Sequence, residues 1–157
     1  MTADSLPTIR RLLLALVTLG LIGTGVDLVL LEHYEDSWQL APLFLIVLAL
    51  LAILGYAVTR SAGSIRVLQL TMVLLIVGGV LGIALHYQGN LEFQLDMTPT
   101  ASRWELFTKV MHAKAPPALA PAAMAQLGLL GLIFSYRHPA LQQHAEFLST
   151  GTEERAS

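Results

Sequence analysis

Apolar residues fall into four long runs, at 12–31, 40–58, 67–85 and 118–135, separated by polar stretches. At 1.5 Å of rise per helical residue, each run comes close to the ~30 Å hydrocarbon core of a bilayer. The pattern predicts an all-α integral membrane protein with a single membrane domain. Its expected architecture is a four-helix transmembrane bundle, with a structured loop at 86–117 and a tail at 136–157. The first polar break is short, so the first two helices should form an antiparallel hairpin. Tyr34 and Trp38 stand there, at the level where aromatic residues meet headgroups. Ser61-Ala62-Gly63-Ser64 reads as a flexible turn between the second and third helices. Residues 1–9 read as a frayed start.

The loop at 86–117 has a pattern of its own. Gln88-Gly89-Asn90 reads as a turn, and Leu91-Glu92-Phe93-Gln94-Leu95-Asp96-Met97 alternates apolar with polar. A period of two predicts a short extended segment, which needs a pairing partner for its edges. Ser102-Arg103-Trp104-Glu105 then has the form of a capping box. It predicts a short helix to about residue 113, with Trp104, Phe107 and Met111 on one face as an interfacial anchor. Pro116 and Pro117 end it. The alanine-rich start of the fourth run suits close packing against other helices.

Composition sharpens this picture. The chain is 55% hydrophobic and 13% charged, against about 25% charged in a soluble domain. A net charge of -2 without a basic cluster speaks against nucleic acid. With no cysteine, disulfides, thiolate metal sites and cysteine nucleophiles are excluded. Arg10, Arg11, Arg60, Arg66 and Arg137 fall on one side if the helices alternate. Glu32, Glu35, Asp36, Glu92, Asp96 and Glu105 fall on the other. The positive-inside rule then predicts cytoplasmic termini and acidic loops facing the periplasm of a bacterial inner membrane. The first run is too long for a signal peptide, and no A-x-A site follows it.

Few residues carry candidate chemistry. Asp27 lies inside the first run, where an acid is a functional candidate by default. Gly20 and Gly23 share its helical face, as does Tyr34 if the helix continues. Gly79 and Gly82 share the face of His86 in the third run, so both glycine-bearing faces should pack against helices. Gln126 is a further polar group in an apolar helix. His33, His86, His112, Glu32 and Asp36 gather on the acidic side, where imidazole and carboxylate could ligate a metal ion, or two histidines a haem. Gly25 precedes His33-Tyr34 as Gly78 precedes His86-Tyr87, an echo that suggests either a two-helix duplication or coincidence.

No catalytic constellation is present, so no catalytic residue is assigned. The expected role is a non-enzymatic accessory or scaffolding subunit, with the bilayer and other membrane chains, or further copies of itself, as partners. That role needs no cofactor. Two alternatives stand beside it: a metal or haem module on the outer face, and a small proton-coupled transporter using Asp27.

Overall fold

The computed structural model describes residues 5–114 and 117–142, and no strand occurs among them. Five helices follow in chain order: α1 Ser5–Leu30, α2 Ser37–Thr59, α3 Ala62–Met97, α4 Arg103–Met111 and α5 Ala122–Ser135. The first three are each long and apolar enough to cross a membrane. With 14 residues, α5 is about 21 Å long, shorter than the hydrocarbon core.

Local chemistry sets the helix ends. α1 closes in a Schellman turn: Glu32 N–H donates to Val29, His33 N–H donates to Leu28, and Glu32 is left-handed at φ 53°. The Gln39 side chain accepts from the Glu35 and Asp36 amides ahead of α2. Ser61 and Ser64 cap α3 reciprocally, each hydroxyl accepting from the other's amide at 3.2 and 3.1 Å. Ser102 accepts from the Glu105 amide to start α4. Pro121 suits the start of α5, where a missing N–H costs nothing.

α3 packs against α2 and α5, and α1 packs against the same two helices, so the apolar helices close a ring with α1 and α3 on its diagonal. The shared core includes Leu21, Ile46, Leu68, Met72, Leu75 and Phe134. Glycines bring backbones together inside this ring. A Cβ on Gly79 would lie 2.7 Å from the Ala125 amide nitrogen, and one on Gly82 would lie 2.7 Å from Pro121 Cβ. A Cβ on Gly128 would lie 2.6 Å from the Met72 carbonyl oxygen. Gly20 meets the flexible end of Leu127, while Gly23 faces open space.

The predicted turn at 88–90 and extended segment at 91–97 are corrected here, because α3 runs through both without a break. Its face in this stretch is a helical stripe of mixed polarity, with Asn90 buried and Tyr87, Leu91 and Gln94 partly so. Gln88 donates to Glu92 four residues on, a helical pair. At 36 residues and about 54 Å, α3 is far longer than a bilayer core of ~30 Å, so its polar end projects. α4 packs on α3 alone, burying Leu106 and Val110. Lys109 bridges to Glu105 at 2.9 Å and donates to Thr98 at the end of α3. The first and last helices also differ from their predicted bounds. α1 starts at Ser5, so residues 5–9 are helical, and α5 starts after a turn spanning 118–121.

Candidate functional site

The two ends of the ring differ chemically. At one end, α1 and α3 deliver His33 and His86. The Schellman turn fixes His33 just after α1, and α3 carries His86 immediately after its apolar stretch. Their ring centres are 6.3 Å apart, with planes inclined at 61°. His86 Nδ1 lies 3.0 Å from the Pro117 carbonyl oxygen, which can only accept. Nδ1 therefore carries the proton, and Nε2 keeps its lone pair. Both rings are partly buried. Burial, and then the neighbouring His86 ring, hold His33 below the ordinary histidine value.

The other predicted ligands stand apart from this pair. His112 turns back on its own helix, with Nδ1 2.7 Å from the Thr108 carbonyl oxygen. Glu32 is exposed in its left-handed turn, and Asp36 accepts from the Ser37 hydroxyl. Among the described residues, no three His, Cys, Asp or Glu side chains form a group that could hold a metal ion.

Asp27 and Gln126 are both exposed, and neither side chain bonds to a described residue. Asp27 does not reach His86. Tyr34 lies beyond the end of α1, in the turn, and so leaves the Asp27 face. Trp104 and Phe107 stack at 5.5 Å on the exposed side of α4, with Met111 partly covered. The buried stripe of that helix is Leu106 and Val110, which the spacing of four between them already signals.

The opposite end holds a cluster that sequence reasoning passed over. Tyr56 Oη lies 3.1 Å from His138 Nε2, and both rings pack edge-on with Phe134 nearby. His138 Nδ1 accepts from the Ala140 amide, so the neutral ring carries its proton on Nε2 and donates to Tyr56. Arg10 donates to the Tyr136 and Arg137 carbonyl oxygens at 3.0 Å, tying α1 to the end of α5. Burial, and then Arg10, lower the His138 pKa. No sequence signal marked His138, because a histidine just past an apolar run reads as part of a solvated tail. His144 and the rest of that predicted tail beyond residue 142 lie outside the described residues.

Two shallow apolar clefts run along the outside of the ring. One, of about 370 Å³, lies between α1 and α2 beside Gly25 and Ile46; the other, of about 380 Å³, lies between α2 and α3 beside Gly55 and Ser64. The first is lined by apolar residues alone, and the second also by Thr59, Ser61 and Ser64. No protein-family model, characterised protein or solved structure matches the chain. The fold defines the class: over the described residues the protein is helical without strands, and three of those helices are long and apolar enough to cross a bilayer.

Proposed function

We propose that this chain is a non-enzymatic accessory subunit of a larger membrane assembly. In this reading all four apolar helices cross a bacterial inner membrane, with both termini cytoplasmic. The pairing of α5 with α3 and α1 along its length supports its crossing despite its short span. Arg10, Arg60, Arg66 and Arg137 at one end support the orientation.

One observation carries the proposal: Asp27 and Gln126 sit in apolar helices, exposed and without partners among the described residues. Polar side chains inside a membrane almost always face a bundle interior. Here the interior they face is that of an assembly larger than one chain. Gly23, one turn before Asp27 with open space above it, lets another helix approach that flank. The outward position of Asp27 favours this role over proton transport, which needs an enclosed path.

The test is extraction from native membranes in mild detergent, with particle mass read for wild type and for Asp27→Leu/Gln126→Leu. A wild-type particle well above one chain, released to a single chain by the double substitution, is expected. A lone wild-type particle, or an assembly indifferent to the substitutions, would overturn the reading.

A further inference from the structure

We infer that His33 and His86 together bind one monovalent copper ion at the end of the ring opposite Arg10. Three observations carry this. The first is distance. Imidazole nitrogens each about 2 Å from a shared ion, with a ring radius added at each end, put ring centres about 6 Å apart at a wide N–metal–N angle. The observed separation is 6.3 Å.

The second is the proton on His86. Metal-bound histidine usually donates its other ring N–H to a carbonyl or carboxylate, which fixes the tautomer and aims the lone pair. His86 already does so toward Pro117. The His33 ring makes no hydrogen bond to a described residue, so its nitrogens are free to bind.

The third is ligand number. The described residues supply no third His, Cys, Asp or Glu to this pair. Zinc sites take three or four protein ligands. Imidazole suits copper, and the monovalent ion, with its filled d shell, accepts two nitrogen ligands at a wide angle. The pair joins α1 to α3, which face each other across one diagonal of the ring without packing together. A bound ion would therefore clasp the ring across its diagonal.

The experiment uses the full-length chain in lipid nanodiscs, anaerobic and reduced, titrated with Cu(I) against bicinchoninate. One ion per chain is expected. His33→Ala and His86→Ala should each weaken binding by more than about a hundredfold, beyond what losing a supporting hydrogen bond costs. His112→Ala should leave it unchanged. X-ray absorption on the wild-type complex reads the ligand set directly and does not depend on the variants folding; it should report two imidazole nitrogens. Absence of binding, dependence on His112, three or more protein ligands, or a haem Soret band in protein taken from native membranes would each overturn the inference.

Discussion

A Cβ on Gly79 would lie 2.7 Å from the backbone nitrogen of Ala125 and 2.9 Å from the Pro121 carbonyl oxygen. Backbone cannot yield as a flexible side chain can, so the helices themselves would have to part. Gly79→Ala should therefore destabilise the fold by about 1–3 kcal/mol, the usual range for overpacking. Gly55→Ala makes the matched control, because nothing lies within 4 Å of its added carbon. Alanine there should leave stability unchanged or raise it by up to about 1 kcal/mol, through helix propensity. Unfolding in detergent, with both variants side by side, checks the contrast. Equal effects would mean that α3 and α5 are not in such close contact. This also changes what the glycines mean. Gly79 and Gly82 serve packing within the chain, so substitutions there test the fold before they test association. Gly23 is the one of the four with room for a neighbour.

Among the elements, α5 is tied at its end by Arg10, Tyr56 and His138, and that tie predicts a pH dependence. His138 is held below the ordinary value by burial and then by Arg10. A depressed histidine pKa means the fold prefers the neutral ring, so its contribution is fully present above the unfolded value of about 6.5. It is lost as pH falls through the lower folded value. Protonation would also place a hydrogen on Nδ1, against the Ala140 amide that donates to it. His33 shifts in the same direction and adds to the same window. Unfolding followed from pH 8 to pH 5 should show stability falling below about pH 6.5. His138→Gln should flatten part of that fall, and His33→Gln a further part. A flat wild-type profile would contradict the assigned tautomers. The sequence announced the long elements because bilayer-length apolar runs leave little choice of structure. It misled at 91–97, where alternation of type coincided with a helix whose covered face mixes Asn90 and Gln94 with Leu91. Hydrophobic periodicity cannot register a stripe that is itself half polar. The approach of His33 to His86 was legible only as two histidines ending odd-numbered helices on one side. Their distance, and the Pro117 carbonyl that fixes one ring, depend on how α1, α3 and the turn before α5 meet.

For the molecule as a whole, charge and fold make a joint claim about sidedness. Arg10 at the start of α1 bonds to carbonyl oxygens just after α5, and Arg60 and Arg66 flank the α2–α3 turn. Folding thus gathers Arg10, Arg60, Arg66 and Arg137 at one end, against Arg103, Lys109 and Lys114 at the other, the bias that the positive-inside rule counts. At the other end stand Glu32, Glu35 and Asp36, with the projecting end of α3 and the α4 helix that packs on it. A chain inserted the other way would have to move the arginine end across the hydrocarbon, at a cost of a few kcal/mol per cation. Because the chain has no cysteine, single reporters can be placed without background. A cysteine at Ser37, exposed at the start of α2, should react with a membrane-impermeant maleimide on intact spheroplasts. One at Ser61, exposed at the start of α3, should react only after the membrane is opened. Neither residue belongs to the core, and the loss at Ser61 is confined to the hydroxyl cap of α3. The reverse pattern would invert the protein and put the histidine pair on the cytoplasmic side. Labelling of both sites before permeabilisation would mean that α2 does not span the bilayer.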